Sequence, residues 1–253
     1  MTILIPKLGY SVIVAAAGNS TRMKSPLPKS LTKVGASTLL EVVLTSLKDN
    51  SEQIILVIKE QHLNIFQNSI SNKLNERTLF AFQNTASGTF HSVKIGLENS
   101  SSEFTFVVWG DHIGAAICDV ENILNAAKTS GADLLVPLVM RPNPYVYFDI
   151  DIDGSIVEFI EPRKDGRIAE IGYSDTGVFL MRTSRMLEAM SKIEDIYSET
   201  EVNFLSMFTR LRDHGLILKT LLFKDELLTL GANTEDELNL SWSLVKPRIA
   251  FPK

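Results

Sequence analysis

The sequence predicts a three-layer α/β fold around a mostly parallel sheet, and two observations carry this prediction. Segments with helical spacing, including 38–47 and 120–128, alternate along the chain with short apolar runs. The runs that have the length and composition of buried strands are 11–17, 53–59, 78–83, 104–109 and 134–139. Alternation of strand and helix is typical of a parallel sheet, and strands this continuously apolar suit a sheet that is covered on both faces.

The pattern changes after Pro137. Segments 145–151 and 155–160 flank the dipeptide Asp153-Gly154, which favours a two-residue hairpin turn, so we expect an antiparallel hairpin insertion here. The remaining predicted elements are a strand over 171–181, helices over 184–192 and 199–213, a strand over 216–223 and a closing helix over 234–244. No repeat or low-complexity linker divides the sequence, so residues 1–253 are predicted to form a single domain.

Composition excludes some classes of function. The chain has 253 residues, 45% of them hydrophobic, and a formal net charge of -5, whereas a general nucleic-acid binder needs a basic face. A lone cysteine, Cys118, cannot form an internal disulfide; its apolar neighbourhood predicts a core residue, and a reducing cytoplasm fits. No stretch of about 18 apolar residues occurs, so we expect no membrane association. The oligomeric state stays open, a homo-oligomer included.

The loop after the first predicted strand has the composition of a phosphate-binding turn. Its small residues Ala16, Ala17 and Gly18 let main-chain N–H groups approach phosphates closely. Arg22 can grip phosphate oxygens in a fork, and Lys29 supplies a compact charge. A dinucleotide-binding turn is excluded because its further glycines are missing, and a Walker loop because no Gly-Lys-Ser/Thr follows.

This loop resembles the G-x-G-T-R-M signature, followed by P-K, of the sugar-1-phosphate nucleotidyltransferases. The matching positions are Gly18, Thr21, Arg22, Met23, Pro28 and Lys29. The chain is similar in particular to the uridylyltransferase domain of bacterial N-acetylglucosamine-1-phosphate uridyltransferases, although Ser20 replaces the second glycine. The resemblance implies a Rossmann-like nucleotidyltransferase domain with Mg²⁺ as cofactor and an NTP and a sugar phosphate as substrates. It also implies that Arg22 holds the leaving phosphates and that Lys29 bridges the donor and acceptor phosphates.

Two positions are candidate metal ligands. Asp111 follows a buried strand, and ligands in α/β sheets bind at the carboxyl ends of strands, where a carboxylate suits Mg²⁺. Asp111 alone also fits a helix-capping or turn residue. The resemblance places Asp111 at the family's G-D metal-binding step and Asn233 in its late G-x-N turn. Capping of the closing helix by Asn233 or Thr234 is the alternative role.

The resemblance also implies contacts to the nucleotide and the sugar. Gln83, Gly88 and Thr89 match a run that contacts the pyrimidine, and open N–H groups at the start of this helix would let a base lie against the backbone. Glu161 and Asp175 match residues that hold sugar hydroxyls, so the hairpin insertion is expected over the sugar side. Asp175 stands where the family has asparagine, which replaces a donor and acceptor by an acceptor and indicates a different sugar or ring substituent.

The predicted function is transfer of NMP from an NTP, UTP-like by resemblance, to a sugar 1-phosphate, which gives an NDP-sugar and pyrophosphate. A cytidylyltransferase acting on a sugar acid or polyol phosphate shares the first loop and the G-D step, and is the first alternative. Departures from the family pattern at Ser20, His112 and Asp175 leave a second one, a nucleotide-binding regulatory protein that has lost turnover.

Overall fold

The computed structural model describes residues 9–18, 27–85, 87–193 and 201–249. Its strands are β1 Tyr10–Ala15, β2 Lys33–Val34, β3 Ser37–Thr38, β4 Ser51–Ile58, β5 Thr78–Phe82, β6 Phe104–Trp109, β7 Leu134–Pro142, β8 Tyr147–Ile150, β9 Ile156–Ile160, β10 Ile171–Asp175, β11 Val178–Arg182 and β12 Leu218–Phe223. Its α-helices are α1 Leu39–Val43, α2 Leu63–Ser69, α3 Asn72–Asn75, α4 Gly88–Glu98, α5 Val120–Ser130, α6 Pro162–Asp165, α7 Thr183–Ile193, α8 Phe208–Asp213 and α9 Glu235–Val245. None of the helices in these ranges is long and apolar enough to cross a membrane.

Ten of these strands form one sheet in the order β5-β4-β1-β6-β11-β7-β10-β8-β9, with β12 paired to β7. The half that contains β5, β4, β1 and β6 is parallel. Strand β11 is antiparallel to both β6 and β7, so β7 runs in the direction of β6, and the hairpin β8–β9 extends the sheet beyond β10. The predicted α/β class with an antiparallel hairpin insertion is confirmed.

The predicted single strand over 171–181 is two strands. Strand β10 pairs with β7, and β11 inserts between β6 and β7. The chain turns between them at Thr176-Gly177, where Gly177 has a φ of +67°. Glycine adopts this left-handed conformation without steric cost, so the turn interrupts an otherwise continuous apolar pattern.

The core lies on both faces of the sheet. In β1, Val12 and Val14 belong to one buried cluster and Ile13 belongs to the other, and residues of β4 and β6 alternate in the same way. A strand that is buried on both faces needs apolar residues at every position, which explains the uninterrupted runs. Cys118 is buried in the first cluster, and burial raises the pKa of its thiol to about 11.

One carboxylate ties the start of α1 to a distant segment. Glu41 and Thr38 form a capping box, in which the Thr38 N–H donates to Glu41 Oε2 (3.0 Å) and the Glu41 N–H to Thr38 Oγ1 (3.2 Å). Glu41 Oε1 also accepts the N–H of Ser71, 30 residues away, at 3.0 Å. Burial raises the pKa of Glu41, but these hydrogen bonds outweigh it and hold the pKa below the usual 4.5.

We therefore expect Glu41→Gln to lower the free energy of unfolding at pH 7 by about 1–2 kcal/mol, because the amide cannot accept both sets of hydrogen bonds. A carboxylate with a lowered pKa stabilises the protein above its ordinary pKa and loses that contribution as pH falls through the folded-state value. The difference between wild type and Glu41→Gln, measured by urea unfolding, should be largest at neutral pH and shrink below about pH 4. The exposed Glu121, substituted by glutamine, is the control; a pH-independent cost at Glu41 would contradict the prediction.

Candidate active site

A cleft of about 890 Å³ opens along the edge of the sheet where β5, β4, β1, β6 and β7 end. The predicted site residues that line it are Ala16, Ala17, Gly18, Lys29, Gln83, Gly88, Thr89, Asp111, Asp175 and Asn233. Parallel strands present their carboxyl ends at one edge, so residues far apart in sequence meet here. Arg22, Ser20, Thr21 and Met23 lie outside the described residues, as does the segment 194–200 from which the helix predicted over 199–213 would start.

The centre of the cleft is a contact between three side chains. Lys29 Nζ lies 2.6 Å from Asp111 Oδ2 and 3.3 Å from Asn233 Oδ1, although these residues are 82 and 204 positions away along the chain. Only 16% of the Lys29 side chain is exposed, against 39% for Asp111, so the ion pair is partly shielded from water. The structure therefore brings together Lys29, Asp111 and Asn233, three of the residues that sequence analysis selected.

The donor set at this point fits a magnesium ion. One carboxylate oxygen and one amide oxygen already converge on a cation, the Lys29 ammonium. Mg²⁺ is held in many phosphoryl-transfer sites by one or two such ligands, with water and substrate phosphates completing the shell. No group of three or more His, Cys, Asp or Glu residues that could hold a metal occurs among the described residues, so an ion bound here would need oxygens from the substrate.

Backbone hydrogen bonds fix the loops that carry these ligands. The Ala232 N–H donates to the carbonyl of Asp111 at 3.0 Å, which holds the turn before α9 against the end of β6. Thr234 caps α9, because its Oγ1 accepts the N–H of Glu237 at 3.2 Å. The Asn233 side chain is directed to Lys29 instead. The capping role considered for this turn therefore belongs to Thr234, while the Asn233 side chain faces the cleft.

The loop over Ala16, Ala17 and Gly18 leaves β1 and lines the cleft beside Lys29. The Ala16 N–H is used inside the sheet, where it donates to the carbonyl of Val57 at 2.9 Å. A Cβ built on Gly18 would meet no atom within 4 Å in the described part of the chain. Small residues at these positions leave the cleft open to a ligand that approaches the backbone closely.

His112 and Asp175, which both depart from the family pattern, lie together. Asp175 is buried and its Oδ1 accepts the N–H of Gly177 at 2.9 Å. Burial lowers the pKa of His112 and raises the pKa of Asp175, while the charge of each partner opposes these shifts. The His112 ring lies against Gly177, where an added Cβ would be 2.3 Å from the ring. A glycine is thus required at position 177 for two reasons: the backbone conformation is left-handed, and the His112 ring leaves no space for a Cβ.

The predicted base-binding residues line the other end of the cleft, but they are tied to one another. Gln83 Nε2 donates to the carbonyl of Gly88 at 3.0 Å and to Ser87 Oγ at 3.3 Å, and Gln83 Oε1 accepts from Ser92 Oγ. Thr89 Oγ1 accepts the N–H of Phe204 at 2.8 Å. The side chains of Gln83 and Thr89 therefore shape this wall of the cleft through internal hydrogen bonds.

The expectation of open N–H groups at the start of α4 is wrong at Phe90, whose N–H donates to the carbonyl of Val202 at 3.1 Å. Val202 also explains why residue 88 is a glycine. Gly88 has a φ of +84°, and a Cβ there would lie 2.2 Å from the Val202 oxygen. Sequence analysis missed this contact because Val202 lies more than a hundred residues downstream, where no local pattern indicates it.

Glu161 is placed differently from the prediction. It precedes α6 and pairs with Lys164, whose Nζ lies 2.9 Å from Glu161 Oε2. Glu161 is not among the described residues that line the cleft, whereas Tyr145 and Asp175 are. The Arg163 guanidinium covers the Tyr145 ring at 4.5 Å.

Sequence analysis also missed Arg141, which lines the cleft at the carboxyl end of β7. Its Nη1 donates to Thr229 Oγ1 at 3.1 Å, and its buried Nε has no hydrogen-bond partner among the described residues. The signal in the sequence was a cation at the end of an otherwise apolar strand, at the edge where ligands bind.

A family model described as the MobA-like NTP transferase domain matches residues 12–167. The bifunctional protein GlmU of Lactobacillus gasseri is 28% identical over 246 residues, which cover 94% of this chain and 52% of that protein. The chain thus spans about half the length of the curated relatives it matches. The resemblance inferred from the first loop is confirmed by these matches.

Two solved structures share the fold. A putative glucose-1-phosphate thymidylyltransferase from Bacillus anthracis superposes with a TM-score of 0.75 and 17% identity, covering 97% of this chain and 98% of that chain. The inositol-1-phosphate CTP transferase from T. maritima superposes with a TM-score of 0.71 and 17% identity, covering 96% of this chain and 99% of that chain. At this identity the likeness shows the fold alone, and the Rossmann-like nucleotidyltransferase fold is confirmed.

Replacing Gly177 by alanine should destabilise the protein more than the same change at Gly131. Both glycines have a positive φ, but a Cβ at Gly131 would meet no atom of the described residues within 4 Å, whereas at Gly177 it meets the His112 ring. Gly131→Ala therefore measures backbone strain, and the excess cost of Gly177→Ala, expected at about 1–3 kcal/mol, measures overpacking against His112.

Urea unfolding of both variants measures this difference. A double-mutant cycle with His112→Ala should show the excess to be coupled to the ring. Equal costs at the two glycines would mean that the ring is not held where the structure has it.

Proposed function

Because the chain belongs to the family of MobA-like NTP transferase domains, we propose that it transfers a nucleoside monophosphate from an NTP to a sugar 1-phosphate. The contact of Lys29 with Asp111 and Asn233 carries this proposal. It combines a cation, a carboxylate and an amide oxygen in one cleft, next to a small-residue loop that ligand phosphates can approach. The products are an NDP-sugar and pyrophosphate.

In the proposed reaction, a phosphate oxygen of the sugar 1-phosphate attacks the α-phosphorus of the NTP in line. The bond between the α-phosphorus and the oxygen bridging it to the β-phosphate breaks, and pyrophosphate leaves with the electron pair. The nucleophile is already an anion, so no general base is required. Catalysis then depends on alignment of the two substrates and on neutralisation of charge on the transferring and departing groups.

Lys29 is the proposed catalytic cation. Asp111 and Asn233 hold its ammonium in the cleft, which limits the rotamer freedom that a long side chain would otherwise lose on binding phosphate. The same two side chains would hold Mg²⁺ in place of the ammonium, and the ion when bound would supply positive charge to the phosphates. Arg22 is proposed, by resemblance, to hold the β- and γ-phosphates.

The nucleotide is proposed to lie with its phosphates at Ala16–Gly18 and its base toward Gln83, Gly88 and Thr89. These residues follow β1 and β5, which lie on the same side of β6, and they line one continuous cleft. UTP is the first donor to test because the curated relatives are GlmU proteins and the first loop resembles their uridylyltransferase domain. CTP is the second, since a structure with the same fold is a CTP transferase by name.

The proposal is tested by pyrophosphate release from a matrix of UTP, CTP, dTTP and GTP against several sugar phosphates and polyol phosphates, with Mg²⁺ present. We expect release with a sugar 1-phosphate and with one preferred donor. Release only with a polyol phosphate and CTP would favour the cytidylyltransferase alternative. Calorimetric binding of Mg·NTP without release from any pair would favour a nucleotide-binding protein that has lost turnover.

Lys29→Ala is expected to lower kcat/KM by about 100- to 1,000-fold, or about 2.7–4 kcal/mol, the cost of removing one preorganised donor from the transition state. Steady-state pyrophosphate release measures the effect. The exposed Lys33, replaced by alanine, is the matched control and should retain the wild-type rate. Near-full turnover by Lys29→Ala would remove Lys29 from the mechanism.

Neighbouring substitutions before α9 should separate ligand binding from helix capping. Asn233→Ala removes an oxygen that faces Lys29, so we expect lower activity and a higher Mg²⁺ concentration for half-maximal rate with an unchanged Tm. Thr234→Ala removes the cap and should lower stability by about 1 kcal/mol with little change in Mg²⁺ dependence. Magnesium titrations of the rate, together with thermal unfolding, provide both measurements; a reversed pattern would contradict the assignment.

A further inference from the structure

A half-buried guanidinium lies in the wall of the cleft without an acidic partner among the described residues. Arg141 is partly buried, and none of the ion pairs in the described part of the chain, counted to 4.0 Å, includes it. Its Nε is enclosed and makes no hydrogen bond to those residues. Charges that lose contact with water are normally paired and hydrogen-bonded, so a cation in this state indicates a place for a ligand anion.

Thr229 fixes the orientation of this guanidinium. The Thr229 hydroxyl is buried and donates its one hydrogen to the carbonyl of Glu226 at 2.8 Å. Its oxygen is therefore left to accept from Arg141 Nη1 at 3.1 Å. This contact uses one donor of the guanidinium and leaves the remaining Nη donors for a carboxylate or phosphate, an anion that arginine binds through its forked N–H groups.

The strand order places Arg141 away from the proposed reacting groups. Asp111 follows β6, whereas Arg141 is in β7, and one strand lies between them. Neighbouring strands are about 4.8 Å apart, so the two backbones are separated by roughly 10 Å. No hydrogen bond or ion pair joins Arg141 to Lys29, Asp111 or Asn233 within the described residues. The Arg141 guanidinium is held by Thr229, whereas the Lys29 ammonium is held by Asp111 and Asn233, so the two cations can bind different groups of one ligand.

Arg141 also lies at the acceptor end of the cleft. The nucleotide residues follow β5 and β1, on the other side of β6. Tyr145, Ser174 and Asp175, from the segments next to β7 and in β10, line the end that contains Arg141. The part of a ligand that reaches Arg141 thus belongs to the acceptor and not to the NTP.

We propose that Arg141, oriented by Thr229, binds a second anionic group of the acceptor, a carboxylate or a further phosphoryl group, in addition to the phosphate that reacts. The inference rests on the proposed function for the identity of the acceptor end. It narrows the acceptor to an acidic sugar phosphate or a sugar bisphosphate. The 1-phosphate of an uncharged sugar has no second anionic group to pair with the guanidinium. It leaves Arg141 desolvated without a counter-charge and binds more weakly for that reason.

The test compares glucose 1-phosphate, glucuronic acid 1-phosphate and glucose 1,6-bisphosphate by calorimetric binding and by pyrophosphate release. Wild type is expected to bind at least one anionic probe about 10- to 100-fold more tightly than glucose 1-phosphate, the range for a hydrogen-bonded charge pair. Arg141→Gln should abolish this preference without weakening glucose 1-phosphate. The anionic probe that is preferred distinguishes a carboxylate from a phosphoryl ligand.

Two further variants control the experiment. Arg185→Gln makes the same change at an exposed arginine outside the cleft lining and should keep the preference. Arg141→Lys keeps the positive charge but not the forked guanidinium, so it should retain part of the preference for the anionic probe. Thermal unfolding establishes that each variant is folded.

Equal binding of the three probes by wild type, no binding of any, or equal weakening of all three by Arg141→Gln would each overturn the inference. The last result would assign Arg141 to the phosphate that the probes share. Selective binding of an anionic probe without pyrophosphate release from any NTP would instead retain the anion site and reject the proposed transfer reaction.

Discussion

The site depends on one ion pair, between Lys29 and Asp111, with Asn233 as the third member. Its parts come from the turn after Pro28, the end of β6 and the residue before the α9 cap. A lysine side chain is long, so holding it in one position costs conformational entropy. The two oxygen acceptors compensate for that cost before a substrate binds. The parallel pairing of β1 with β6 is what brings the first two segments to one edge.

The site is completed by segments beyond the matched family region, residues 12–167. The turn that carries Asn233 is bonded to Asp111 through Ala232, and Val202 closes over the start of α4. These contacts join loops that share no element of secondary structure. The matched region contains Ala16, Ala17, Gly18, Lys29 and Asp111, whereas Asn233, Thr229 and Val202 lie outside it. Residues beyond the matched region therefore contribute to the shape of the cleft.

The sequence predicted the fold because it follows from local patterns, whereas Asp111 and Asn233 were selected through the family resemblance. Uninterrupted apolar runs identify doubly covered strands, and polar residues at their ends fall at one edge. The prediction fails where a contact between residues far apart in the sequence determines the local structure. The Val202 carbonyl accepts the N–H of Phe90, although the two residues are more than a hundred positions apart. The orientation of Arg141 depends on Thr229, 88 residues away, and no pattern within β7 indicates that partner.

The departures from the family pattern at His112 and Asp175 support retained rather than lost activity. A degenerate site accumulates unrelated changes, whereas these two residues are close enough to alter each other's pKa and share the turn at Gly177. The carboxylate of Asp175 is buried, and burying a charge without compensation is costly, so His112 and the Gly177 N–H give the change a physical basis. The adjacent Asp111 keeps its contact with Lys29. His112 and Asp175 line the same cleft as Arg141, so in the proposed reaction this pair would face the acceptor, and the two changes fit a different acceptor sugar.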